Sequence, residues 1–167
     1  MPTTTTPKDL FFDQLRDLHS VETQLIASLP TLVARKPYAP LANAIAIHAE
    51  ETQRHLSQIV SIFKQHQIEI GDDTSKAMEG LIAGGDAHLD AVKVPETRDL
   101  MIIAHCLRIE HYEVAAYGIT LRLGEQIGFS EEVALLRSIL AEEKLAIEKL
   151  ITIEPAIFQR AIPSLAL

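Results

Sequence analysis

Five glutamates stand where a helical core calls for apolar residues: Glu22, Glu51, Glu110, Glu113 and Glu143. The plainest case is Glu110. Apolar residues at spacings of three and four run Leu100, Ile103, Leu107, then Val114, Tyr117 and Leu121, and the missing rung is Glu110. Glu113 follows one turn later and borders the same face. Other stripes are broken in the same way. Glu22 interrupts Phe11, Leu15, Leu18, Leu25 and Leu29, and Glu143 interrupts Val133, Leu136, Leu140, Ile147 and Leu150. The stripe Leu41, Ile45, His48, Thr52, His55, Ile59, Ile62 has a polar middle, with Glu51 one turn after His48. A carboxylate in a core is costly unless it is protonated, hydrogen-bonded or bound to a cation. Carboxylate oxygens and imidazole nitrogens suit hard or borderline divalent cations. Two metals bridged by carboxylates would neutralise most of this charge; without metal, several of the groups must stay protonated or paired.

Four long helices must position these residues. The first is predicted from Thr6-Pro7-Lys8-Asp9, a capping Thr with Pro at the first helical position and an acid in the first turn, to about Ala34, with a kink at Pro30. The second runs from Pro40 to His66 after a short basic turn, and so lies antiparallel to the first. Residues 67–98 read as a long connection with helix from Ser75 to Ile82, weakening at Gly84-Gly85 and a second piece to about Val92; a crossover of this length sets the next helix parallel to the second. The third long helix runs from Pro95 to Ile127 and stops at Gly128. The fourth restarts at Ser130 and runs to about Ile153, with Glu154-Pro155 ending it and 155–161 forming a short further helix. Residues 1–5 read as a frayed tail. Counted from their shared turn, Glu22 and Glu51 lie about 15 and about 13 residues away, a level difference of roughly 3 Å at 1.5 Å per residue. Counted from Gly128, Glu113 and Glu143 lie about 15 and about 14 residues away, and are level.

A single glutamate at the edge of a stripe is ordinarily a surface side chain. Four helices carrying one at matched depth is a different observation, and it points to a metal-competent centre in the bundle core. A phase shift of one residue would exchange Glu50 for Glu51 or Glu142 for Glu143. Among the histidines His48 is the foremost ligand candidate and His55 the second. His111 and His19 flank the faces, and His66, His88 and His105 read as surface or loop residues. Tyr117 reads either as a core aromatic or as a hydrogen-bond donor to a carboxylate ligand. Thr52 either orients a carboxylate or bonds back to its own helix.

Composition narrows the rest. The chain has 167 residues, 47% of them hydrophobic, which suits one folded, helix-rich domain spanning 1–167. Net charge is −8 with His neutral and no basic cluster stands out, so nothing supports nucleic-acid binding. The one cysteine, Cys106, sits in an apolar run and excludes an internal disulfide. No apolar run reaches membrane-span length, and Met-Pro-Thr-Thr-Thr-Thr-Pro lacks a signal-peptide core, so the expected location is cytoplasmic and no membrane partner is expected.

The order and spacing of several stretches resemble the YciF/YciE family of bacterial ferritin-like stress proteins, within the ferritin/rubrerythrin superfamily. They are Leu15-Arg16-Asp17-Leu18 leading to Glu22, His48-Ala49-Glu50-Glu51-Thr52, Lys76-Ala77-Met78-Glu79-Gly80-Leu81-Ile82, Arg108-Ile109-Glu110-His111-Tyr112-Glu113-Val114-Ala115-Ala116-Tyr117-Gly118, and Glu142-Glu143-Lys144. The resemblance covers 8–153. It implies an all-α ferritin-like antiparallel four-helix bundle with an extra helix in its crossover, commonly a homodimer, with a rubrerythrin-like dinuclear centre of two divalent ions, iron or manganese. Carried over residue by residue, the ligands are Glu22, Glu51, Glu110, Glu113 and Glu143, with His48 as the imidazole. One departure is plain. The superfamily's Glu-x-x-His is absent, since Arg54 follows Glu51 at that spacing and Ala146 follows Glu143, while His48-x-x-Glu51 reverses the order on one face. Three functions stay open on sequence: a stress-associated dinuclear protein reacting with peroxide or oxygen, a non-catalytic metal-binding or storage module, and a metal-free structural bundle.

Overall fold

The computed structural model describes residues 4–162, so residues 1–3 of the expected tail and the C-terminal 163–167 lie outside the described residues. The described chain is helical with short connections: α1 (Pro7–Ala34), α2 (Ala39–His66), α3 (Lys76–Ala91), α4 (Pro95–Ile127) and α5 (Ser130–Ala161). α1 starts where its capping residues dictate. The Asp9 N–H donates to Thr6 Oγ1 and the Thr6 N–H donates to Asp9 Oδ2, a reciprocal pair that satisfies two donors the helix leaves free. Thr5 is held as well, because its N–H and hydroxyl both donate to Asp9, which corrects the reading of 1–5 as a frayed tail for that residue. α4 ends at Gly128, whose φ of +80° is the left-handed conformation that suits glycine at a helix C-terminus.

α1 and α2 form one antiparallel pair and α4 and α5 the other. α1 packs on α4 and α2 on α5 to close a four-helix bundle, while α3 lies outside it against α4. Three expectations are corrected. α3 is one helix through Gly84 and Gly85, not two pieces. The imidazole of His105 explains Gly85, since a Cβ there would lie 2.0 Å from the ring; His105 is thereby buried, not at the surface. α5 runs on through Pro155 to Ala161, so no separate short helix forms. Pro155 and Ile151 are exposed, where water can satisfy the carbonyl that proline leaves unbonded, and buried Ile157 anchors the extension. The expected stripes also shift. Leu100, Leu107 and Val114 are half-buried, whereas Ile102, Cys106 and Ile109 are buried; on α5, Ile139 and Ala146 are buried instead of Val133, Leu140 and Ile147. On α4 the cause is α3, which covers a second face of the helix.

The hydrophobic interior is divided in two. One cluster gathers Leu25, Leu29, Ile45, Ile102, Cys106 and Leu150 among others. The other gathers Phe11, Leu15, Ile59, Tyr117, Leu121 and Leu136. Between them, on every helix of the bundle, the buried residues turn polar: Glu22 on α1, His48, Thr52 and His55 on α2, Glu110 and Glu113 on α4, and Glu143 on α5.

Candidate metal centre

This layer has an apolar cluster on each side and is rich in charge. Glu22, Glu113 and Glu143 are fully buried, Glu110 is 3% exposed, and His55 and His48 are 1% and 6% exposed. Ligand-capable atoms of His48, Glu110, Glu113 and Glu143 all lie within 4.8 Å of one another, as do those of Glu22, His55 and Glu143. Glu143 belongs to both groups, so the two form adjoining halves of one centre.

The two histidines are oriented alike. His48 Nε2 lies 3.3 Å from Glu110 Oε1 and 3.8 Å from Glu143 Oε2, while its Nδ1 faces Glu51 Oε2 at 3.6 Å. His55 Nδ1 lies 2.8 Å from Glu143 Oε1 and 3.7 Å from Glu22 Oε1, while its Nε2–H donates to Glu142 Oε2 at 3.0 Å. Each imidazole thus turns one nitrogen into the centre and the other toward a carboxylate at the edge. A neutral ring that donates outward keeps an inward lone pair, which is what a metal ligand requires. The outer carboxylates are themselves held from α2 and α5. Arg54 donates to Glu142 at 3.1 Å, and Lys149 donates to Glu51 at 3.4 Å. The Tyr117 hydroxyl donates to Glu22 Oε1.

The electrostatics show how poorly this layer tolerates its own charge. Burial pushes the Glu113 carboxyl well above the usual carboxylate range, and Glu143, Glu22 and Glu110 add to the effect. Burial raises Glu22 too, against the pull of the His55 hydrogen bond. Glu110 is pushed up to about 8, by burial first and by Glu143, with His48 pulling it down. Burial lowers the two imidazoles, but their carboxylate neighbours outweigh it and raise His48 to about 9 and His55 to about 10.

Of the residues that sequence brought forward, the structure joins Glu22, His48, Glu110, Glu113 and Glu143. Glu51 stands at the rim, half-buried and in neither group. The phase ambiguity resolves plainly on α2, where Glu50 is exposed. His111 is exposed and donates from Nδ1 to its own helix at Leu107 O, 2.7 Å away, and so stands apart from the centre. Thr52 takes the back-bonding role, donating to His48 O at 2.9 Å. His55, ranked below His48 on sequence, lies fully inside. At 100° per residue it is about 20° from His48 around α2, whereas Glu51 is about 60° away. His66, read as a surface residue, is half-buried beneath Phe12 and Phe129 and pairs with Glu132 at 2.6 Å.

The residues fit a metal pair on their own chemistry. Apart from Arg98 Nε, every buried side-chain nitrogen or oxygen without a hydrogen-bond partner among the described residues belongs to Glu22, His48, Glu51, His55, Glu110, Glu113 or Glu143. Buried polar atoms are ordinarily partnered, and their concentration in one layer marks a place meant to be filled. Four core carboxylates match the charge of two dications, and the mixed oxygen and nitrogen donor set suits iron or manganese.

The comparisons agree with the fold. The family profile described as Domain of unknown function (DUF892) matches residues 6–162. The Escherichia coli protein YciF is 34% identical over 140 residues, covering 83% of this chain and 84% of YciF. Among solved structures, the E. coli stress protein YciF superimposes with a TM-score of 0.89 at 31% identity, covering 93% of this chain and 99% of that one. YcfI from Rhodopseudomonas palustris gives 0.87 at 30% identity, covering 90% and 96%. A protein from Xanthomonas campestris gives 0.75 at 18% identity over 97% and 100%, a likeness of fold alone. The chain belongs to the DUF892 family, as a relative of E. coli YciF.

Proposed function

We propose that this protein holds two divalent metal ions, iron or manganese, between its two hydrophobic clusters, reacts there with peroxide or dioxygen, and serves in a stress response. The observation that carries the reading is the layer of unpartnered buried carboxylate and imidazole atoms on four helices. The kinship with a protein named for stress supports the physiological half of it. In this reading Glu22, His48, His55, Glu110, Glu113 and Glu143 are the ligands, with Glu143 shared. Glu51 stands outside this set, facing the outer nitrogen of His48 at 3.6 Å, on the side where Glu142 accepts from His55 at 3.0 Å.

A redox-active pair held by these residues would supply the two electrons that, with two protons, reduce hydrogen peroxide to two waters, and an external reductant would restore it for each further turnover. The chain's own part is positioning and exclusion. Tyr117 fixes the Glu22 carboxylate through its hydroxyl, and Glu142 fixes the His55 ring. The apolar clusters on either side keep bulk water from the carboxylates, which strengthens their hold on cations. Metal analysis after iron(II) or manganese(II) reconstitution and desalting tests the proposal, followed by peroxide consumption. About two ions per chain with metal-dependent turnover supports it in full. Two ions without turnover reduces it to storage, and no retained metal leaves a structural bundle.

A further inference from the structure

A cavity of about 20 Å³, more than a single water requires, lies beside the His48 half of the centre. Its walls are mostly apolar: Leu29 from α1, Ala44 and Ile45 from α2, Ala146 and Leu150 from α5, and Cys106 from α4. Its polar liners are His48, Glu110 and Lys149. Both nitrogens of His48 and Oε2 of Glu110 are buried without hydrogen-bond partners. Lys149 is the one exposed liner, at 43% of its side chain, and so marks the mouth; its ammonium is tied to Glu51 at 3.4 Å.

We propose that this slot is the way in for an uncharged molecule of about two heavy atoms, dioxygen or hydrogen peroxide, with Lys149 as its gate. The inference rests on the metal-centre reading for its purpose, while the slot itself rests on the cavity. Three features select the occupant. The volume excludes an organic hydroperoxide. The Lys149 ammonium repels a hydrated dication at the mouth, and most of the wall is apolar and gives nothing to replace the water the ion would shed. Ala44 and Ala146, one on each side of the α2–α5 seam, leave the space that larger residues would fill.

Cys106 is the only cysteine of the chain and lines the slot, so it reports access without any metal. Methylmercury chloride labels the thiol by exchange at mercury: an S–Hg bond forms, the Hg–Cl bond breaks, and chloride and the thiol proton leave to water. In metal-free protein, labelling followed by mass spectrometry should be at least about a hundredfold faster with methylmercury than with the bulky p-hydroxymercuribenzoate. Ala44→Val and Ala146→Val should each slow methylmercury by about tenfold or more, and Lys149→Ala should speed it. Packing strain in the valine variants would loosen the bundle and accelerate labelling, the opposite sign. Equal rates for the two mercurials, or valine variants that fold yet label as fast as wild type, would overturn the slot; should Ala146→Val not fold, Ala44→Val and the size ratio decide. In iron(II)-loaded protein, oxidation by hydrogen peroxide or by dioxygen should slow in the same valine variants. Cumene hydroperoxide should be slow in every form, and its rapid reaction would refute the size selection. Failure to retain iron would sink the metal reading while the mercurial rates still decide the slot.

Discussion

Glu113→Met should make the metal-free protein more stable and the metal-loaded protein less so. Both carboxyl oxygens of Glu113 are fully buried and without hydrogen-bond partners, and three other carboxyls crowd it. Leaving a buried polar group unsatisfied costs about 1–3 kcal/mol. Methionine has nearly the same length, adapts to irregular space and carries no such penalty. At about 2–4 °C per kcal/mol for a chain of this size, the metal-free Tm should rise by about 2–12 °C. The wild type gains about 2.7 kcal/mol when metal is present at a hundred times its dissociation constant, and the variant should lose that gain. Thermal melts by circular dichroism in chelator and in excess manganese(II) read both effects. A carboxylate held by protein partners would behave otherwise, so a fall in the metal-free Tm, or an unchanged metal-induced shift, would refute the reasoning.

The remaining expectations are as specific. Tyr117→Phe should weaken metal affinity by about 10–100-fold while keeping the fold, since only the hydroxyl that orients Glu22 is lost; equilibrium dialysis measures it. Gly85→Ala should destabilise by about 1–3 kcal/mol, because its Cβ would meet the His105 ring, and His105→Ala in the same chain should restore most of the loss, as a double-mutant cycle in urea would show. Between pH 7 and 9 the metal-free protein should lose stability. Glu110, His48 and His55 have folded pKa values of about 8, 9 and 10, all raised above their unfolded values, so each keeps its proton in the fold after the unfolded chain has released it. The contribution of each is complete below its unfolded pKa and lost as pH rises through the folded one, at up to about 1.4 kcal/mol per pH unit. Metal affinity should run the other way and rise with pH, because cations displace those protons.

Much of the bundle was legible in local chemistry. Thr6-Pro7 and Gly128 set helix ends through capping and a left-handed φ, which neighbouring residues decide alone. Pro155 and Gly84-Gly85 misled because their consequences are tertiary: an exposed proline costs α5 one bond that Ile157 compensates, and Gly85 answers to a ring on another helix. The carboxylates of the centre were legible because a glutamate in an apolar stripe is conspicuous. His55 is harder to read than His48, because it lies four residues from Glu51 along the chain while its angle around α2 places it beside His48. His105 was hidden because nothing in the α4 stripe announces that α3 covers a second face.

The most direct test of the account is anomalous diffraction from crystals soaked in manganese(II) or grown anaerobically with iron(II). Two peaks in the polar layer, both in contact with Glu143, one also reaching His48 and the other His55, are the predicted result. No peak there, with metal only on surface carboxylates or nowhere, would contradict the central claim.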